Sequence, residues 1–170
     1  MPRCFDMAAS YEGSVDEVYR AFGDERYWLE RLTRSGADET SLDSMTVDGD
    51  GGVRVVTTQT LRADRLPGVV TQFHRGDLSF VRAETWNAVT DGSATAVVKG
   101  SITGAPATLT GDAVLAPAAT GGGSRLELKA TVEVRIPLVG GKIETFIGGQ
   151  LAQLLLAEQR FTSAWIRENA

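Results

Sequence analysis

Near its C-terminus the chain changes from an alternating pattern to a helical one. Over residues 125–136 apolar and polar side chains alternate, which predicts a strand with one buried face, and Pro137 ends it. After Gly140 and Gly141, apolar residues recur at steps of three and four and predict one long helix that begins near Gly140. Its apolar stripe is Ile143, Phe146, Ile147, Leu151, Leu154, Leu155, Phe161 and Trp165. Because such a stripe has to be buried, this pattern favours a terminal helix laid on a sheet.

The chain upstream of Pro137 is predicted to be mostly antiparallel strand, interrupted by two short helices. Ser14 and Glu17 have the spacing of a capping box and start the first helix, which ends near Gly23. The second helix is predicted from about Asp24 to Ser35. Predicted strands cover residues 3–12, 39–47, 53–61, 78–88, 94–102, 107–115 and 125–136. We therefore expect an α+β fold in a single domain over residues 1–170, with a seven-stranded antiparallel sheet curved around the terminal helix.

The charge and cysteine content exclude several classes of protein. The net charge of −5 argues against a nucleic-acid partner and against binding to an anionic membrane surface. Cys4 is the only cysteine, so an internal disulfide is impossible and a reducing compartment is expected. The sequence shows neither a leader peptide nor an apolar run that could span a bilayer. These features predict a cytoplasmic protein without stable membrane insertion.

Small residues dominate the expected inner faces of two neighbouring strands. These faces carry Ala94, Ala96, Val98, Gly100 and Ile102 on one strand and Ala107, Leu109, Gly111, Ala113 and Leu115 on the next. Because protein interiors are close-packed, small side chains opposite a helix predict a ligand-sized cavity. The alternatives are a helix that lies closer to the sheet, or glycine bulges that bend it.

A few polar residues on the same inner surface would orient a ligand in that cavity. Thr57 and Gln59 share the inner face of one strand, and Gln150 and Glu158 lie on or beside the helical stripe. The alternative is that such side chains reach solvent at the rim or bond to backbone, and we expect this for Glu158 because a buried lone carboxylate is costly. The candidate ligand-binding residues are Met7, Tyr11, Val55, Thr57, Gln59, Phe73, Val98, Leu109, Gly111, Leu128, Val132, Phe146, Ile147, Gln150 and Leu154.

Three segments of the chain resemble the START/Bet v 1-like (SRPBCC) superfamily, which has the helix-grip fold. They are the opening strand followed by Ser-Val-Asp-Glu-Val-Tyr at residues 14–19, Glu-Thr-Trp at 84–86, and Val-Arg-Ile-Pro-Leu-Val-Gly-Gly-Lys-Ile-Glu at 134–144. Within the superfamily they are most similar to an actinobacterial domain family of unknown function. The resemblance covers essentially the whole chain and implies a cavity for an apolar or amphipathic small molecule. Members include lipid and polyketide binders as well as cyclases, aromatases and dehydratases, so the fold does not choose an activity.

Two features of the pattern admit more than one interpretation. Arg82, Glu84 and Trp86 share one face of a strand, and we favour an outward cross-strand cluster over an inward charged pair. Gly148 and Gly149 interrupt the helix at a cost of about 1 kcal/mol each relative to alanine. They indicate either a soft point that lets the helix swing and admit a ligand, or close approach of another backbone.

The sequence contains no recognisable catalytic or metal-binding set, so we expect no metal and no cofactor. His74 is the only histidine and is expected in an exposed loop, while Cys4 has no evident base partner and is expected to be a small buried or edge residue. Residues 48–52 lack the ligands of a calcium loop, and residues 140–142 lack the first glycine and the hydroxyl residue of a P-loop. A solvated helix face is predicted for Arg26, Arg31 and Arg34.

The function that these features favour is binding, by a carrier or sensor, of a hydrophobic or amphipathic small molecule. A fatty-acyl, isoprenoid or polyketide-like compound would enter between residues 66–73 and the start of the terminal helix. One alternative is a cyclase or dehydratase that uses one or two polar pocket residues. Another is a protein-interaction module with a collapsed pocket. We expect a monomer or a weak homodimer that has no nucleic-acid partner.

Overall fold

The computed structural model describes residues 2–72 and 74–169, with the backbone alone at Val69. Its elements follow the predicted order of one strand, two short helices, six strands and a long helix. The strands are β1 (Arg3–Tyr11), β2 (Glu39–Val47), β3 (Val53–Leu61), β4 (Leu78–Trp86), β5 (Ala94–Ile102), β6 (Ala107–Pro117) and β7 (Ser124–Val134). The helices are α1 (Val15–Phe22), α2 (Glu25–Thr33), α3 (Gly68–Thr71) and α4 (Gly140–Asn169), with a 3₁₀ turn at Ala63–Arg65 before α3.

All seven strands form one antiparallel sheet in the order β1-β7-β6-β5-β4-β3-β2. The sheet curves around α4, which confirms the predicted helix-grip fold. Loops of four to seven residues join β2 to β3, β4 to β5, β5 to β6 and β6 to β7, whereas β1 pairs with β7 and is followed by α1 and α2. The inner faces of β5 and β6 are buried at alternate positions, as their sequences predict.

The two short helices begin at residues that cap them. The Ser14 hydroxyl accepts a hydrogen bond from the Glu17 amide, and the Glu17 carboxylate accepts one from the Ser14 amide, which confirms the predicted capping box. Asp24 caps α2 through the Arg26 amide. The helices thereby place a buried aromatic cluster at one end of the molecule. Its members are Tyr19, Phe22, Tyr27, Trp28, Trp86, Phe161 and Trp165.

Helix α4 lies on one side of the curved sheet, against β1 and β7. A side chain at Gly148 would overlap the Phe5 ring of β1, whereas one at Gly149 would project into open space. Gly148 therefore allows the Phe5 ring to approach the helix closely, whereas the sequence had suggested the approach of another backbone segment. Helix α4 continues without interruption through both glycines. Because α4 lies close to β1 and β7, it leaves space over β3 to β6.

The start of α4 is fixed to the end of β7. The buried Glu144 carboxylate accepts a hydrogen bond from the Val134 amide at 2.8 Å. At Gly140, a Cβ atom would lie only 2.5 Å from the Val134 carbonyl oxygen, so glycine is needed for this approach. These two contacts with Val134 fix the first turn of α4 to the end of β7.

Candidate ligand-binding cavity

A cavity of about 550 Å³ lies between α4 and the inner face of β3 to β7. This volume is in the range of roughly 300–1,000 Å³ that is typical of small-molecule sites. Its walls are mainly apolar. The helix contributes Ile143, Phe146, Ile147, Gln150, Leu151 and Leu154, and the sheet contributes Gln59, Leu61, Leu78, Phe80, Gly100, Ser101, Ile102, Ala107, Thr108, Leu109 and Val132.

The connection between β3 and β4 covers one side of the cavity. Leu66, Pro67 and Val70 from this connection face residues 35–37, which join α2 to β2. Arg65 holds the two segments together, because its Nη1 donates to Asp38 Oδ1 at 2.8 Å and to the Gly36 carbonyl oxygen at 3.0 Å. The Arg62 amide, and then Arg65, lower the pKa of the Asp38 carboxyl by hydrogen bonding. The cover is therefore tied to the body of the protein by the Arg65–Asp38 ion pair and by hydrogen bonds to Gly36 and Asp38.

The candidate ligand-binding residues separate into two groups in the structure. Seven line the cavity: Gln59, Leu109, Val132, Phe146, Ile147, Gln150 and Leu154. Seven others do not: Met7, Tyr11, Val55, Thr57, Val98, Gly111 and Leu128. Phe73 lies outside the described residues.

The strand register explains where the cavity ends. Thr57, Arg82, Gly100, Leu109 and Val132 are successive partners across β3 to β7, and the last three form the inner end of the cavity. The next inward row contains Val55, Glu84, Val98 and Gly111, and the row after it contains Trp86, Leu128 and Met7. These deeper rows are packed with side chains. The alternating pattern is the same in every row, so it identifies the inner face but not the depth of the cavity.

The small residues do not all create space for a ligand. At Gly111 a Cβ atom would lie 3.1 Å from Leu128 Cδ1 and 3.2 Å from the Lys129 carbonyl oxygen, so this glycine accommodates β7. At Gly100 a Cβ atom would lie 2.6 Å from the Phe80 ring, which folds across the strand. Gly100 thus makes room for the Phe80 ring, which itself forms part of the cavity wall.

Four charged side chains meet beside the inner end of the cavity, and we call them the charge quartet: Arg31, Arg82, Glu84 and Glu158. The Glu158 carboxylate is 2.5 Å from Arg31 Nη2 and 2.6 Å from Arg82 Nη2. Glu84 Oε2 is 3.5 Å from Arg82 Nε, and Glu84 Oε1 accepts a hydrogen bond from Trp86 Nε1. The charge quartet links the sheet to α2 and α4, with Arg82 opposite the cavity-lining Gly100 and Glu84 bonded to Trp86 of the aromatic cluster.

The charge quartet corrects three predictions. Arg82, Glu84 and Trp86 face inward, not outward, because Arg31 and Glu158 supply partners that desolvated charges require. Glu158 does not reach solvent at a rim, since two arginines pair with it. Arg31 is buried over the Trp28 ring, with 4.6 Å between the guanidinium carbon and the ring centroid, so it does not belong to a solvated face.

Burial and ion pairing act against each other on these groups. Burial opposes ionisation of Glu158, but attraction by Arg31 and then Arg82 outweighs it and lowers the pKa of Glu158 to about 2. Burial also tends to lower the pKa of Arg31, and Glu158 reverses this and raises it well above the ordinary value. Burial raises the pKa of the nearby Tyr11 and Tyr27 hydroxyls. Arg31, Arg82 and Glu158 therefore all carry their charges at neutral pH.

Other candidate residues of the sequence lie away from the cavity. His74 is in the β3–β4 connection, where Nε2 is 2.9 Å from the Asp77 carbonyl oxygen. Cys4 is exposed on the edge strand β1, within 3.5 Å of the Thr131 hydroxyl. Within the described part of the chain, no helix has the length and apolar character needed to cross a membrane.

Sequence comparison matches nearly the whole chain to one protein family. A family model described as a protein of unknown function (DUF2505) matches residues 6–166. An uncharacterized protein of Mycobacterium tuberculosis is 54% identical over 173 residues, which cover 99% of this chain and 99% of that relative. The sequence identity is therefore high, but it indicates no activity because the relative is itself uncharacterized.

Solved structures with low sequence identity share the fold. The Zhui aromatase/cyclase from a Streptomyces species has a TM-score of 0.64 at 8% identity, with 99% of this chain and 95% of that chain covered. A START superfamily protein from Mycobacterium smegmatis has a TM-score of 0.53 at 10% identity, with 98% and 99% covered. These likenesses confirm the START/Bet v 1-like fold that the sequence resembled, and at such identities they show the fold alone.

Proposed function

The chain belongs to the DUF2505 family, and on that premise we propose that it binds one hydrophobic or amphipathic small molecule in the cavity between α4 and the sheet. The observation that carries this proposal is the cavity itself, whose volume of about 550 Å³ and mainly apolar walls suit such a ligand. The START/Bet v 1-like fold is consistent with ligand binding or with a cyclase-type reaction.

Binding without conversion agrees best with the lining residues. Among the described residues that line the cavity, Arg65 is the only ionisable one, and Asp38 already engages it. Gln59 and Gln150 supply amide groups, which orient a ligand but are poor proton donors and acceptors in catalysis. We therefore propose a carrier or sensor. The open cavity disfavours the third alternative, an interaction module with a collapsed pocket.

Ligand access is proposed through the β3–β4 connection. The start of α4 is anchored by Glu144 and by the close approach of Gly140 to Val134, so the helix is poorly placed to swing. The connection is instead tied by the partly exposed Arg65–Asp38 ion pair, for which we expect about 1 kcal/mol or less, and by hydrogen bonds from Arg65 to Gly36 and from the Arg62 amide to Asp38. We therefore propose that this cover, and not the start of α4, moves to admit the ligand.

Titration with the neutral apolar dye Nile red tests the proposed function. We expect saturable binding of one dye molecule per chain, with increased fluorescence. Leu154→Trp fills the cavity from the helix side and should weaken binding at least about tenfold, which corresponds to about 1.4 kcal/mol. The matched control is Leu156→Trp, which makes the same change on the exposed face of the same helix and should bind like the wild type.

Two results would contradict the proposal. One is the absence of saturable binding by the wild-type protein. The other is equal binding by folded Leu154→Trp and Leu156→Trp, which would place the dye outside the cavity.

A further inference from the structure

We propose that the cavity selects ligands whose polar group is uncharged, such as an alcohol, ketone, ester or amide, over carboxylates and ammonium ions of the same chain length. This inference rests on the proposed function and specifies the chemical class of the ligand. It follows from the charges that border the cavity and from the partners those charges already have.

Apart from Arg65, which is paired with Asp38, the described polar side chains that line the cavity are neutral. The half-buried Gln59 lines the cavity from the sheet, and the exposed Gln150 lines it from α4. A side-chain amide can both donate and accept hydrogen bonds. The two amides can therefore bind a hydroxyl or a carbonyl oxygen, but neither can neutralise an ion.

The charged groups near the cavity are already paired. Arg65, at the cover, donates to Asp38 and to the Gly36 carbonyl oxygen. At the inner end, Arg82 lies opposite Gly100 in the strand register, so the charge quartet borders the last lining residues. Its two arginines and two glutamates cancel one another.

A charged ligand would upset this balance. A carboxylate at the inner end would add a third negative charge beside Glu84 and Glu158, and an ammonium ion would add a third positive charge beside Arg31 and Arg82. Either ion would lose hydration without gaining an unpaired counter-ion, which is far more costly than burying a hydrogen-bonded hydroxyl. The neutral charge quartet therefore disfavours both anionic and cationic ligands.

Competition by three ligands of equal chain length tests the inference at pH 7.5: decanol, decanoate and decylammonium. Each is titrated against Nile red bound to the wild-type protein. We expect decanol to displace the dye at concentrations at least about tenfold lower than either ion. Decanoate that competes as well as decanol would overturn the inference while leaving the proposed function intact, and so would failure of decanol to displace the dye. If the dye itself does not bind, the proposed function fails.

A change to the charge quartet tests whether it sets this preference. Glu158→Gln removes one negative charge and leaves an excess positive charge beside the inner end, so the ratio of decanoate to decanol affinity should rise about tenfold. The matched control is Glu168→Gln, which removes one charge at an exposed position of the same helix and should leave the ratio unchanged. An unchanged ratio in folded Glu158→Gln would show that the charge quartet does not act on the ligand. If that variant does not fold, the wild-type competition decides the inference.

Discussion

At the scale of single residues, the least expected feature is a set of four largely buried charges in a chain of ordinary composition. Each buried charge is costly alone, and the charge quartet is tolerated because every member has an oppositely charged neighbour. Glu158 is central, since it contacts both arginines. Removing it should leave two guanidinium groups with only Glu84 as a partner.

The stability of the protein should therefore depend on pH through Glu158. Its pKa is lowered to about 2 in the folded state, so its contribution is fully present above the ordinary carboxyl pKa of 4.5 and is lost as pH falls towards 2. We expect Glu158→Gln to lower the free energy of unfolding by about 3–5 kcal/mol at pH 7. The difference from wild type should narrow below about pH 4.5 in urea unfolding measured at several pH values.

The control for this measurement is Glu168→Gln, which should follow the wild-type profile because its side chain is exposed. A difference between wild type and Glu158→Gln that stays constant between pH 7 and pH 3 would show that the ionised form of Glu158 is not what stabilises the fold.

The two adjacent glycines of α4 should respond oppositely to alanine. Gly149→Ala adds a methyl group in open space and should stabilise the protein by about 1 kcal/mol through helix propensity. Gly148→Ala should destabilise it by about 1–3 kcal/mol, because the new methyl group displaces the Phe5 ring. Thermal or urea unfolding of the two variants compares the signs directly. An equal gain in both would mean that Phe5 moves without cost and that packing does not explain Gly148.

What the sequence predicts at this scale is the face on which a residue lies, not its partner. The alternating pattern correctly predicts that Arg82 and Glu84 lie on the same face of their strand. It does not predict that this face points inward, because their partners Arg31 and Glu158 are distant in the sequence. The available signal was Trp86 on the same face, since a large aromatic residue is usually buried. Distant charge pairing has no signature in local periodicity.

At the scale of elements, the sequence predicts the bounds of the helices and strands better than it predicts where α4 lies on the sheet. The predicted boundaries of β2, β3 and β5 agree with the structure, and α4 begins at Gly140 as predicted. These elements could be predicted because period and turn residues are local properties. The position of α4 on the sheet could not be predicted from the sequence, because it depends on contacts between distant residues, such as Gly148 with Phe5 and Glu144 with Val134.

The Glu144 anchor can be tested with two substitutions at one position. Glu144→Ala leaves the buried Val134 amide without an acceptor and should lower the free energy of unfolding by roughly 1–3 kcal/mol. Glu144→Gln keeps an acceptor oxygen and loses only the ion pair with half-exposed Arg3 at 3.8 Å, so it should cost less than about 1 kcal/mol. Equal losses in urea unfolding would indicate that the charge of Glu144, not its hydrogen bond, fixes the start of the helix.

At the scale of the whole molecule, the interior has two ends of different character. One end is the aromatic cluster around Tyr27 and Trp86, whose rings pack against one another. The other end is the cavity, where α4 and the sheet diverge. The charge quartet lies between them. The sequence predicted a cavity from small residues on the inner faces of β5 and β6, and the structure confines it to the end where Phe80 and the β3–β4 connection form its walls.

Native mass spectrometry of freshly purified protein tests the central claim, that the cavity holds one small molecule, most directly. We predict a species heavier than the chain by the mass of a single small molecule, present in the wild type and in Leu156→Trp but strongly reduced in Leu154→Trp. Wild-type protein with the mass of the chain alone, or a bound molecule with equal occupancy in Leu154→Trp, would contradict the account.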